Sequence, residues 1–138
     1  MKAYLDSSIL LRVLLREPSP LRSFKRIKFA VSSELLRVEC FRVIDRLRLE
    51  ARLADADVAS LQQELHQVCA SVEFVRVTPL LLGMASQPFP TTVRTLDAIH
   101  LASAMLWTQG REEQVVFLTH DAQLGTAARA LGFEVDGV

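Results

Sequence analysis

Two short apolar runs that lead to acidic residues constrain this chain more than any other feature. Ala3-Tyr4-Leu5 ends at Asp6, and Val115-Val116-Phe117-Leu118-Thr119 is followed two residues later by Asp121. Neither run alternates polar with apolar residues, so each predicts a strand buried on both faces, the type found in helix-covered parallel sheets. Each then gives way to helical spacing, from Ser7 to Leu15 and from Asp121 to Leu131. Glu17-Pro18-Ser19-Pro20 stops the first helix, because the residue before a proline avoids the α region. Gly132 ends the last one, before a strand Phe133-Glu134-Val135.

The alternation continues between these ends. Lys28 to Val31 reads as a strand. From Ser33 to about Leu53, the apolar residues Leu35, Leu36, Val38, Cys40, Val43, Ile44 and Leu47 recur at helical spacing. Asp55 or Asp57 caps the next helix, whose stripe runs through Val58, Leu61, Leu65 and Cys69. Phe74 to Val77 is a strand, and Pro79 suits the first turn of a helix. Pro88 to Thr92 is a loop, and Leu96 to Trp107 a helix with Gly110 as its stop. The expected fold is α/β, a mainly parallel sheet with helices on both faces. Ligands of such sheets bind beyond the carboxyl ends of the strands, where Asp6 and Asp121 fall.

At 138 residues and 50% hydrophobic content, the chain suits one domain, 1–138, with a sizeable core. The longest uncharged stretch, Val77 to Val93, is broken by Pro79, Gly83, Pro88 and Pro90, so no membrane span is expected. Asp6 and Arg12 interrupt the N-terminal apolar run, which does not read as a signal peptide. Cys40 and Cys69 lack metal-type spacing and read as reduced, buried thiols of a cytoplasmic protein. The zero net charge hides an asymmetry. Residues 1–53 hold 12 Lys/Arg against 6 Asp/Glu, and residues 54–138 hold 4 against 10.

Asp6, Asp97 and Asp121 each have an ordinary role available at a helix start. Glu39 does not fit so easily, since Leu35, Leu36 and Val43 place it along an apolar stripe. A carboxylate aimed inward needs a cation, a donor or a proton. Four carboxylates gathered at the strand ends would repel by roughly 3 kcal/mol per pair at ~5 Å and a dielectric of ~20. Such a cluster shares protons or binds a divalent cation, and oxygen-only ligands favour Mg²⁺ or Mn²⁺.

Four segments now carry a resemblance: Tyr4-Leu5-Asp6-Ser7-Ser8, Ser33-Glu34-Leu35-Leu36-Arg37-Val38-Glu39, Leu96-Asp97-Ala98-Ile99-His100-Leu101-Ala102-Ser103-Ala104, and Thr119-His120-Asp121-Ala122-Gln123-Leu124. In this order they resemble the signature of PIN-domain ribonucleases, and more narrowly of VapC-type toxins of toxin–antitoxin pairs. The resemblance covers essentially the whole chain. It implies a three-layer α/β/α sandwich and endonucleolytic cleavage of RNA with one or two Mg²⁺ or Mn²⁺ ions. By motif position, Asp6, Glu39, Asp97 and Asp121 are the acidic residues of the site. Asp6, Asp97 and Asp121 are the metal ligands, with Glu39 a further ligand or a positioner of the attacking water. Ser8 and Thr119 match supporting hydroxyls. The resemblance also implies a homodimer and a small VapB-type antitoxin.

His100, three residues after Asp97, reads as a packed or site-adjacent residue rather than a ligand, and His120 as facing elsewhere. Ile9, Leu10, Leu11, Val13, Leu14 and Leu15 give the first helix more apolar surface than one face needs, which suggests an interface. Arg22, Lys25, Arg26 and Lys28 form an acid-free basic cluster, a candidate contact for RNA phosphates. A phosphoacceptor receiver domain would need an Asp ending a central strand and a late Lys. The strand at Phe74 to Val77 ends in Thr78-Pro79, and no Lys follows Lys28. The remaining alternative is a PIN-like module that binds RNA or a protein without cutting.

Overall fold

The computed structural model describes residues 1–19 and 21–138. Among these residues, five strands form one sheet: β1 (Lys2–Leu5), β2 (Phe29–Ser33), β3 (Val72–Val75), β4 (Val116–Leu118) and β5 (Glu134–Asp136). Every pairing is parallel, in the order β3-β2-β1-β4-β5. The chain therefore builds outward from β1 in both directions. Its topological switch point lies between β1 and β4, where Asp6 and Asp121 follow the strand ends.

Among the described residues, six α-helices surround the sheet: α1 (Ser7–Leu14), α2 (Leu35–Leu49), α3 (Asp55–Cys69), α4 (Pro79–Ala85), α5 (Thr95–Thr108) and α6 (Ala122–Ala130). Successive strand residues feed opposite faces, as the pleat requires. Ala3, Leu5 and Leu118 join Ile9, Leu10 and Leu14 of α1, Leu36, Cys40 and Ile44 of α2, and Leu65 of α3 in one core. Tyr4, Val31 and Phe117 join Leu101 and Trp107 of α5 and Leu124 of α6 in the other. These are the three layers expected from the sequence.

Several boundaries differ from the sequence reading. β3 starts at Val72 rather than Phe74, because Glu73 is tolerated inside the strand by accepting from Trp107 Nε1 at 2.8 Å. α2 stops at Leu49 rather than near Leu53, since Ala51 takes a left-handed conformation (φ +54°). α3 has Ala54 at its cap, and Asp55 and Asp57 instead place negative charge in its first turn. Arg22–Arg26, within the basic cluster, winds into a 3-10 helix. Arg16 (φ +52°) and Ser19 (φ +59°) turn the chain after α1, and Pro20 of the expected stop lies outside the described residues. Gly110 and Gly132 adopt left-handed φ of +72° and +88° just past α5 and α6, as expected of helix stops.

The apolar surplus of α1 is largely used inside the chain. Ile9, Leu10 and Leu14 are buried, and Leu11 packs on the same core. The exposed large apolar side chains lie elsewhere, among them Val38 on α2, Leu80 and Leu82 on α4, and Leu96 on α5. Cys40 is buried and Cys69 partly so, and both are free thiols. Among the described residues no helix is long and apolar enough to cross a membrane.

Candidate active site

The site starts from the way β1 and β4 are clipped together. Asp6 leaves β1 in extended conformation and caps α1, and its backbone N–H donates to Leu118 O at 3.0 Å. Its Oδ2 accepts from Ser8 Oγ at 2.5 Å, from Thr119 Oγ1 at 2.9 Å and from Ser8 N at 3.4 Å. Both hydroxyls also accept. Ser8 Oγ takes the N–H of His120 at 2.9 Å, and Thr119 Oγ1 takes that of Asp121 at 3.0 Å. Capping and site-building are thus the same act for Asp6. The supporting places expected of Ser8 and Thr119 are occupied by these bonds.

Glu39 projects from α2 toward the same place, and its partner is a histidine. Glu39 Oε2 lies 2.8 Å from Nε2 of His100 on α5, and Asp6 Oδ1 lies 4.0 Å from that nitrogen. His100 is 1% exposed. Burial opposes its positive charge. The hydrogen bond to Glu39 and the carboxylates of Asp6, Glu39 and Asp97 outweigh that opposition and raise its pKa. On its far side, His100 Nδ1 lies 3.0 Å from the hydroxyl of buried Tyr4. Ligand atoms of Asp6, Glu39 and His100 all lie within 4.8 Å of one another.

Asp97 and Asp121 complete the acidic set through Arg94. Asp97 lies in the first turn of α5, and its Oδ2 accepts from Arg94 Nε at 3.0 Å. Asp121 caps α6, with Oδ1 accepting from Gln123 N at 2.8 Å and Leu124 N at 3.0 Å. Its Oδ2 pairs with Nη2 of Arg94. The sequence reading passed over Arg94. An arginine three residues before an acid at a helix start is the pattern that could have revealed it.

All four carboxylates, with Ser8 and Arg94, line one cleft of about 490 Å³. They arrive from four elements: the ends of β1 and β4, and helices α2 and α5. Within it Arg94 pairs with Asp97 and Asp121, and His100, buried behind the lining, meets Glu39.

The basic cluster is divided. Arg22 lines a neighbouring groove with Arg12, Ser23, His120 and Asp136. By contrast Arg26 O accepts from the Met1 amino group at 2.8 Å, and Lys28 N donates to Met1 O at 2.9 Å. That part of the segment, with Lys25, follows the start of β1, at the end of the sheet away from Asp6. His120 turns from the cleft as expected, its Nδ1 donating to Gly137 O at 3.0 Å.

A parallel three-layer fold with an acidic cleft at its switch point defines a recognisable class. The PIN domain family model matches residues 3–130, and the chain belongs to that family. It is 31% identical over 137 residues to ribonuclease VapC47 of Mycobacterium tuberculosis (strain CDC 1551 / Oshkosh), with 94% of this chain and 92% of that protein covered. It is 34% identical over 137 residues to ribonuclease VapC46 of Mycobacterium tuberculosis (strain ATCC 25618 / H37Rv), with 96% and 94% covered.

Proposed function

We propose that this protein is a metal-dependent endoribonuclease and the toxin of a VapBC-type toxin–antitoxin pair. The observation that carries the reading is the convergence of Asp6, Glu39, Asp97 and Asp121 in one cleft at the switch point of a PIN-domain sheet. The names of two relatives aligned over nearly the whole chain supply the substrate class, RNA.

The donor set fits Mg²⁺ or Mn²⁺, since the anionic groups that line the cleft are four carboxylates. Asp6, Asp97 and Asp121 would hold one or two such ions, which lower the pKa of water and neutralise charge on a phosphodiester. The protein's own groups supply orientation. Ser8 and Thr119 fix Oδ2 of Asp6 and leave Oδ1 toward the cleft. Glu39, held through Oε2, keeps Oε1 for the attacking water. Arg94, 65% exposed, is free to leave Asp97 and Asp121 for a phosphate oxygen. In this reading the protein acts in the cytoplasm, forms a homodimer and is inhibited by a small VapB-type antitoxin.

The test is cleavage of total cellular RNA with Mg²⁺ or Mn²⁺, beside an EDTA control and Asp97→Asn. Metal-dependent fragments absent from both controls are expected. RNA binding without cleavage would assign the chain to the non-cutting alternative.

A further inference from the structure

We infer that His100 is a positioning residue: backed by buried Tyr4, its Nε2 hydrogen-bonds Glu39 and holds that carboxylate in the cleft, while His100 itself stays outside the ligand set. The inference rests on the cation-binding reading of that cleft. It resolves an ambiguity in the geometry, because Asp6, Glu39 and His100 by themselves could pass for a mixed oxygen–nitrogen metal site.

The position of the proton follows from donors and acceptors. Glu39 Oε2 is 2.8 Å from Nε2, and a carboxylate oxygen accepts, so Nε2 is the donor of this bond. In a neutral ring Nδ1 is then an acceptor. The Tyr4 hydroxyl lies 3.0 Å away and already accepts the N–H of Ser33 at 3.1 Å, so its own proton is available to Nδ1. If the ring is instead an imidazolium, Nδ1 donates to Tyr4 and Nε2 still donates to Glu39. In both arrangements Nε2 is engaged by Glu39, and His100, 1% exposed, is not among the residues that line the cleft.

The packing gives this Tyr4–His100–Glu39 series its rigidity. Tyr4 stacks on Phe117 with centroids 4.9 Å apart, and meets His100 edge-on at 6.0 Å. Tyr4 belongs to the central strand, so the series runs from the middle of the sheet to the cleft. Glu39 stands on α2 and His100 on α5, helices that cover opposite faces of the sheet. Their bond crosses the carboxyl end of the sheet and restrains a side chain that is 21% exposed and could otherwise swing into water. Histidines that orient carboxylates in this way act on affinity through another residue.

The experiment is Mn²⁺ titration of the full chain by electron paramagnetic resonance, with metal-free melting as the check on folding. His100→Phe should weaken Mn²⁺ binding about 10- to 100-fold, the usual cost of losing an outer-shell partner. Glu39→Ala should weaken it too, and adding His100→Phe to Glu39→Ala should cost nothing more. His100→Gln, which keeps a donor near the Nε2 position, should recover most of the affinity. Bound Mn²⁺ should show no coupling to a histidine nitrogen, and RNA cleavage by His100→Phe should lose kcat with little change in KM. Should His100→Phe fail to fold, His100→Gln and Tyr4→Phe carry the comparison, with Tyr4→Phe weakening binding several-fold. Nitrogen coupling that vanishes in His100→Gln would overturn the inference, as would unchanged Mn²⁺ affinity in the folded variants. If Mn²⁺ binds the wild type and not Asp6→Asn, such a result leaves the cleft reading intact. No Mn²⁺ binding to the wild type would overturn both.

Discussion

Arg94 and Asp121, 27 residues apart in sequence, form an ion pair in the acidic cleft, and the same guanidinium donates to Asp97 at 3.0 Å. One side chain therefore neutralises two of the three aspartates proposed as metal ligands. A cation entering the cleft competes with it. Arg94→Gln should lower the metal-free melting temperature slightly, since the two aspartates are left to repel. It should also tighten Mn²⁺ binding several-fold, because the internal competitor is gone. Calorimetric titration checks this. Weaker Mn²⁺ binding in Arg94→Gln would mean that the arginine assists the site rather than competes for it.

Metal binding should also appear as stability. An ion bound only by the folded chain stabilises it by about 2.7 kcal/mol at one hundred times its dissociation constant. Asp6→Asn keeps acceptors for Ser8 and Thr119 but replaces a carboxylate at the centre of the cluster. Millimolar Mn²⁺ should therefore raise the melting temperature of the wild type clearly more than that of Asp6→Asn. Equal shifts, followed by thermal denaturation with and without EDTA, would remove Asp6 from the proposed ligand set.

Asp97→Asn tests the chemistry itself. Asp97 loses one partner, Arg94, while like-charge repulsion in the cleft also falls, so the fold should stay close to wild-type stability. RNA cleavage should drop to background. Turnover retained by a repurified Asp97→Asn protein would sink its catalytic assignment.

The layers and the place of the site were legible because short apolar runs, helical stripes and strand-end acids are local signals. Leu5 followed by Asp6, and Leu118 followed by Thr119 and Asp121, mark both strand ends without any long-range information. Glu39 was visible as a misfit on an apolar stripe, but not its partner, because His100 lies 61 residues away on a helix covering the other face. Arg94 was missed for a related reason: its second partner, Asp121, comes from another element. The start of β3 was misread because Glu73 looks unsuited to a strand until Trp107 Nε1 reaches it. Each miss is a polar group whose explanation lies across the fold.

Thr119→Val probes the clip between β1 and β4. Valine fills the same volume in a fully buried position but cannot donate to Asp6 Oδ2 or accept from the Asp121 N–H. Leaving buried polar groups unpaired costs about 1–3 kcal/mol. Chemical denaturation should register that loss with an unchanged denaturant slope, and Mn²⁺ affinity should fall because Asp6 is less firmly held. A variant as stable as wild type would show that water replaces the hydroxyl without penalty.

The path of the RNA should follow the divided basic segment. Arg22 shares a groove with His120, the sequence neighbour of Asp121, so it lies beside the acidic cleft. Arg26 and Lys28 accompany Met1 at the other end of the sheet. A four-residue strand is ~13 Å long, which sets them about that much further from the cleft. A Lys or Arg touching a phosphate of single-stranded RNA contributes about −0.7 to the slope of log affinity against log salt. On an inactive Asp97→Asn background, Arg22→Gln should therefore flatten the slope by about 0.7 and weaken binding across sequences. Replacing Lys25 and Arg26 together by Gln should change it much less, although two charges are removed. A flattening near 1.4 in that double variant, with none for Arg22→Gln, would route the RNA along the face that carries β1's first residues and away from the His120 groove.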